Sequence, residues 1–169
     1  MNISLRVILA AALCVTLAAC KTTKTPPADE PEPVRPEPIV QPVRPSDVYD
    51  WGDLETDSCL RQRVVYFDFD QSVIRPEFAR IIACHAKFLR DVPAAQVTLE
   101  GHCDERGSRE YNLGLGERRG NAVGSALRAQ GGGGGQLNVV SYGEERPVCT
   151  QSNEDCWQRN RRVEIIYTR

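Results

Sequence analysis

The sequence predicts an α+β domain over residues 64–169, with helices packed on one face of a mixed four-stranded sheet. Two periodicities predict it. Residues 64–70, 96–102 and 162–167 alternate apolar with polar side chains as half-buried strands do, and 137–142 does so imperfectly. Residues 72–90 and 110–130 instead repeat apolar residues at helical spacing. The order is strand, helix, strand, helix, strand, strand, which two packed layers accommodate around one core.

Ahead of that domain the chain is not of folding composition. Met1 to Ala19 reads as a secretory signal: Arg6, then an apolar run from Val7 that is too short for a bilayer core of about 30 Å. It ends in Leu17-Ala18-Ala19-Cys20, which resembles the lipobox of bacterial lipoproteins. The resemblance implies cleavage before Cys20 and acylation of that residue, a covalent lipid in place of any cofactor. Several acyl chains exceed the two signals that stable anchoring takes. Residues 20–46 form a linker holding eight of the chain's 11 prolines interleaved with charges, and Pro-Val-Arg-Pro occurs at 33–36 and 42–45. Such a segment favours extended polyproline II at about 3.1 Å per residue, a reach of roughly 80 Å. Residues 47–63 are a lead-in of no clear pattern.

Within the domain, Val64 to Asp70 places Val65, Phe67 and Phe69 on one side of a strand, and two acids, Asp68 and Asp70, stand at its exit. The helix of 72–90 accepts Pro76 near its start and carries Phe78, Ile81, Ile82, His85, Phe88 and Leu89 as its stripe. His85 reads there as a hydrogen-bonded core histidine. Gln96 to His102 is the second strand, followed by a polar loop with Asp104, Glu105 and Arg106. On the next helix Leu115, Ala122, Val123 and Ala126 make the core stripe, and Arg119 projects from inside it. A lone buried guanidinium costs several kcal/mol, roughly, so Arg119 calls for an anionic partner, internal or supplied by a ligand. The helix stops at Gly131 to Gly135, read as a loose joint rather than a tight cap, and no lysine follows to make a phosphate loop. A short helical piece around Trp157 precedes the last strand.

Charge and cysteines narrow the classes. With 21 Lys+Arg against 23 Asp+Glu and no basic run, nucleic acid is not an expected partner. Cys14 leaves with the signal and Cys20 is the lipid site. Cys59, Cys84, Cys103, Cys149 and Cys156 remain, an odd number that allows at most two internal bridges. A Cys149–Cys156 disulfide around a polar loop is expected, whereas Cys84 and Cys103 read as buried small residues. No cysteine or histidine pair has zinc-ligand spacing, so no metal is expected.

Several separated stretches resemble the OmpA-like domain family: Val65-Tyr-Phe-Asp-Phe-Asp70, Ile74-Arg-Pro-Glu-Phe78, Glu100-Gly-His-Cys-Asp-Glu-Arg-Gly107, Tyr111-Asn-Leu-Gly-Leu-Gly-Glu-Arg-Arg119, Val140-Ser-Tyr-Gly143 and Asn160-Arg-Arg-Val163. Within it they look like its lipid-anchored members. That resemblance implies a two-layer fold that binds the peptide stem of peptidoglycan without cleaving it, through the carboxylate and ammonium of diaminopimelate. Asp104 and Arg119 match the family's acid and arginine, and Phe69 and Asp70 the contribution of the first strand's exit. Asn112, Leu115 and Arg118 match the helix motif around the pocket, and either Arg161 or Arg162 closes it. It further implies an outer-membrane location with the domain facing the periplasm, and TolB and other Tol-Pal components as partners. Three departures stand out: Cys103 beside Asp104, Gly120 where alanine is usual, at a helix cost of about 1 kcal/mol, and the five glycines. The alternatives are a periplasmic protein-interaction module with vestigial wall binding, and a wall hydrolase using Asp70, Asp104 and Glu105. No spacing in the sequence supports the carboxylate pair the hydrolase needs.

Overall fold

The computed structural model describes residues 48–169, which lie in one compact unit, Arg44–Arg169. The signal, Cys20 and the whole linker of residues 20–46 fall outside the described residues. The elements are α1 (Asp53–Thr56), β1 (Val64–Tyr66), a 3-10 turn (Pro76–Phe78), α2 (Ala79–Asp91), β2 (Gln96–His102), α3 (Arg109–Ala129), β3 (Leu137–Gly143), α4 (Glu154–Asn160) and β4 (Arg162–Thr168).

The sheet order is β1-β4-β2-β3, with β4 antiparallel to both β1 and β2, and β2 parallel to β3. The parallel pair is the one joined through α3, as a crossover connection requires. Val65, Val97, Leu99, Val163 and Ile165 from the strands meet Ile82, Phe88, Leu89, Val123 and Leu127 from α2 and α3 in one core. On the other face Thr98, Glu100, Glu164 and Ile166 are at least partly open to solvent. His85 sits fully buried within the core stripe, its ring bonded to the Tyr167 hydroxyl at 2.8 Å and the Gln62 carbonyl at 3.0 Å.

Four local expectations are corrected. The first strand ends at Tyr66, not Asp70, because its partner β4 begins at Arg162; beyond it the Phe67 N–H still donates to the Arg161 carbonyl at 2.9 Å, and the ladder stops there. Phe67 stays buried, but Phe69 turns out and is 53% exposed. The second helix starts at Pro76 rather than Ser72, since the residue before a proline is pushed out of the helical region; Arg75 has ψ 145°. The glycine run is not loose at its start. Gly131, at φ +79°, and Gly132 close α3 with the two hydrogen bonds of a Schellman cap, Gly131 N–H to the Arg128 carbonyl at 2.9 Å and Gly132 N–H to that of Leu127 at 3.0 Å. Cys84 is not a lone buried thiol but is bonded to Cys59, tying the lead-in to α2.

The core stripe of α3 also differs from expectation. Gly116, Gly120 and Gly124 face the sheet, spaced one turn apart, and bring the helix backbone close to β2. A Cβ on Gly101 would stand 2.0 Å from the Gly116 carbonyl oxygen, and one on Gly120 would stand 2.6 Å from Val139 Cγ1. Gly120 therefore serves close packing, and alanine there would have to displace Val139. This approach puts residue 119 of the helix over the ends of β1 and β2.

Candidate functional site

Both strand exits end at the same mouth. After β1 the chain runs through Asp68, Phe69 and Asp70, and after β2 through Cys103 to Gly107; α3 then starts beneath them. Ser108 caps α3 by accepting a hydrogen bond from Tyr111 N–H at 3.2 Å. Asp70 takes a left-handed conformation, φ +55°, which aspartate tolerates better than most residues. Its carboxylate accepts a hydrogen bond from the Tyr111 hydroxyl, so the first loop is pinned to the first turn of α3. Between them lies an open cleft of about 180 Å³, lined by Phe69, Asp70, Cys103, Asp104, Arg106 and Gly107 with Tyr111, Asn112, Leu115 and Arg119.

Arg119 forms the floor and is completely buried. Nε–H donates to the Gln71 carbonyl at 2.8 Å, Nη1 to the His102 carbonyl at 2.8 Å and to Cys103 Sγ at 3.4 Å, and Nη2 to the Asp68 carbonyl at 3.1 Å. It thus binds both loops by their backbones. Among the described residues it makes no ion pair, so the internal Asp104–Arg119 salt bridge that the sequence leaves open is not formed. Burial pulls its pKa below the ordinary value, while the neighbouring Cys103 and Asp104 act the other way. Its direct partners are therefore three backbone carbonyls and a sulfur rather than a carboxylate, and one Nη2 hydrogen remains to be donated.

Asp104 is paired elsewhere. Oδ1 accepts from the Arg106 backbone N–H and Nε, both at 3.1 Å, and Oδ2 accepts from Arg106 Nη2 at 2.7 Å and Arg161 Nη1 at 3.1 Å. Burial raises its carboxyl pKa, but the hydrogen bonds from Arg106 and Arg161 outweigh it and hold the group below the usual carboxylate value. Arg161 is buried and fixed by the Phe67 carbonyl, Glu154 and Gln158. Arg162 points away, to Glu164. Neither of the two arginines that the sequence leaves open lines the cleft; Arg161 reaches it indirectly, by holding the lining residue Asp104 from behind.

Of the other expected residues, Leu115 lies in the wall. Asn112 is buried, and its amide donates to the carbonyls of Asp104 and Arg106 and to Glu144 Oε2 at 2.5 Å, which holds the 104–106 loop in shape. Arg118 is not brought to the cleft. It lies one residue, a rotation of about 100°, from the inward-facing Arg119, and its guanidinium stands over the Tyr111 ring at 5.6 Å in solvent. Cys103 is buried with its thiol donating to the Asn112 carbonyl at 3.3 Å, and burial pushes its pKa up to about 11, so it is a neutral thiol. Sequence reasoning missed Arg106 and Tyr111. An acid and a base two residues apart in one short loop were the visible signal for Arg106, and an aromatic in the first turn of α3 the signal for Tyr111.

Disulfide Cys149–Cys156, with Cα atoms 5.2 Å apart, closes the loop before α4. That helix carries Glu154 and Trp157 and leads directly to Arg161, so the bridge supports one wall of the charge network.

An α+β sheet of this order with a charged cleft between the two strand-exit loops defines a small recognition domain. Residues 66–161 match the OmpA family, and the chain belongs to it. Peptidoglycan-associated lipoprotein of Pseudomonas aeruginosa is 49% identical over 115 residues, 68% of this chain and 68% of that one. The protein of the same name from Haemophilus influenzae is 44% identical over 107 residues, 63% of this chain and 70% of that one. The crystal structure of the peptidoglycan-associated lipoprotein from Burkholderia pseudomallei superimposes with a TM-score of 0.67 at 38% identity, over 69% of this chain and 98% of that chain. The C-terminal domain of Helicobacter pylori MotB shares the fold at 22% identity and a TM-score of 0.58, over 63% of this chain and 84% of that chain.

Proposed function

We propose that this chain is an outer-membrane lipoprotein that holds peptidoglycan non-covalently, reading the diaminopimelate of the peptide stem in the cleft floored by Arg119. Acyl chains on Cys20 anchor it, residues 20–46 span the gap, and the domain faces the periplasm. In this reading it works with TolB and other Tol-Pal components in envelope integrity and cell division, and it catalyses nothing.

The observation that carries the reading is the charge of Arg119. A fully buried guanidinium without a carboxylate partner, facing an open cleft and keeping a spare donor, is arranged for an anionic group from outside. The acids Asp70 and Asp104 in the same cleft suit the ammonium of the same ligand. The names of the relatives support the polymer, and the lipobox and proline-rich linker support the anchor.

The test is co-sedimentation of residues 44–169 with purified sacculi, in the presence and absence of free diaminopimelate. Arg119→Lys keeps the charge but loses the planar fork; Asp70→Asn removes the exposed acid. Wild type is expected to pellet and to be released by diaminopimelate, and both variants, folded by thermal melt, to stay largely in solution. Folded variants that pellet like wild type would overturn the cleft assignment.

A further inference from the structure

We propose that Arg106 is a latch: its guanidinium occupies the Asp104 carboxylate, and it must swing toward Glu154 before Asp104 can receive a cationic group. This inference rests on the proposed reading of the cleft.

The argument begins with acceptor capacity. An ionised carboxylate offers about four lone-pair positions. Asp104 has all of its positions taken, two on Oδ1 by Arg106 and two on Oδ2 by Arg106 and Arg161. A ligand ammonium has nowhere to bind on it unless one of the two arginines leaves. Arg161 is not free to go. Its side chain is 3% exposed and is held on three further acceptors, the Phe67 carbonyl at 3.1 Å, Glu154 Oε1 at 2.6 Å and Gln158 Oε1 at 2.5 Å.

Arg106 differs in each respect. Its side chain is 31% exposed, and among the described residues Asp104 is the one carboxylate within hydrogen-bond distance of it. A second anion is already waiting: Glu154 Oε2 lies 3.7 Å from Arg106 Nη1, and that side chain is 62% exposed. The guanidinium lies between two aromatic faces, 4.0 Å from the Phe69 ring centroid and 4.1 Å from that of Trp157. Flat π faces let a guanidinium slide while its charge stays covered, whereas hydrogen bonds fix it to one place. The sandwich therefore guides a movement from Asp104 to Glu154 without exposing an unpaired cation. Trp157 is itself held by an Nε1–H bond to Glu105 at 3.0 Å, so its face of the track is anchored independently of Asp104.

The latch makes the cleft selective. With Arg106 closed, the cleft presents Arg119 and Arg106 against Asp70 and an Asp104 already neutralised by Arg106 and Arg161, which favours carboxylates and disfavours simple cations. Only a ligand whose carboxylate is already held on Arg119 brings an ammonium close enough to compete for Asp104.

The test is calorimetric titration of the full chain in detergent with two probes, diaminopimelate and pimelate, the same dicarboxylate without its amines. Variants are Arg106→Ala, which removes the latch, and Trp157→Leu, which removes one face of the track and does not line the cleft. Arg106→Ala is expected to tighten diaminopimelate several-fold while pimelate is not tightened; Trp157→Leu, which takes away the covered path to Glu154, is expected to weaken diaminopimelate several-fold and to leave pimelate unchanged. Melts run alongside separate binding from folding, and Trp157→Leu decides the matter if Arg106→Ala is unstable. Weaker diaminopimelate binding by a folded Arg106→Ala, or unchanged or tighter binding by a folded Trp157→Leu, would overturn the latch. No binding of either probe by wild type would remove the reading of the cleft itself.

Discussion

At the scale of single residues, the domain stores charge and polarity in places that only one protonation state suits. His102 is 2% exposed, stacked on Tyr142 at 5.6 Å, and neither ring nitrogen has a partner. Burial first, then Arg162 and Arg146, lower its pKa to about 4, against the pull of Glu164. Burial likewise lowers that of His85, although its bond to the Gln62 carbonyl opposes the shift. Both are neutral in the fold and bind protons more readily in the unfolded chain. Stability is then full above about pH 6.5 and falls as the pH drops toward 4. For His102 alone the loss is on the order of 2–3 kcal/mol, taking about 1.4 kcal/mol per pKa unit. Asp104, held low by its arginines, adds a second loss only below about pH 4, as the pH falls through its folded pKa. Urea unfolding between pH 4 and 7 checks this, and His102→Phe should flatten the upper part of the slope. A slope unchanged in that variant would mean that His102 is not a source of it.

At the scale of elements, the site depends on how closely α3 approaches the sheet. Gly101 and Gly116 meet backbone to backbone, and Gly101→Ala would drive a methyl into the Gly116 carbonyl. We expect it to destabilise by about 3 kcal/mol or more, at the upper end of overpacking, and to disturb the cleft because Arg119 rides on the same helix. Equilibrium denaturation with the sedimentation assay would reveal both effects; a neutral melt would mean that the helix can shift freely. The disulfides separate stability from function. Loop-closure entropy assigns about 3–4 kcal/mol to Cys59–Cys84, separated by 25 residues, and about 2–3 kcal/mol to Cys149–Cys156, separated by 7. Paired serine variants should show the first as the larger loss of stability. The second should be the larger loss of sacculus binding, because α4 carries the partners of Arg106 and Arg161. Equal effects on binding would deny α4 that role.

At the scale of the whole molecule, the tether proposed for this chain requires two independent ends. Cys20→Ser in the full chain should move the protein from the membrane fraction to the soluble periplasmic fraction while its co-sedimentation with sacculi is retained. Continued membrane association would place the anchor elsewhere than Cys20. The outline of the folded end was legible along the chain. Gln96–His102 was read to the residue, and the helix of 110–130 lies within one residue of α3 at each end. Periodicity reports these elements because a strand or helix that buries one face must repeat apolar residues at its own period. Asp70, Asp104, Asn112, Leu115 and Arg119 were nameable because their motifs recur in a family, and Arg119 also because a cation inside an apolar stripe demands an explanation.

What the sequence by itself determined is the four strands, the helices of 72–90 and 110–130 and the helical piece around Trp157, though not α1, together with the composition of residues 1–46 and the presence of a buried arginine that must be compensated. The tertiary structure alone decided by what. Arg119 is met by three backbone carbonyls from the first loop and the end of β2, Asp104 by Arg106 and Arg161, Cys84 by Cys59, and Arg118 by the Tyr111 ring at the surface. Local spacing carries the period of an element but not the register between distant ones. Arg161 reaches Asp104 across 57 residues of chain only because β4 pairs with both β1 and β2. Partner choice for a charge is settled by that register, in three dimensions, where each hydrogen-bond acceptor serves a fixed number of donors.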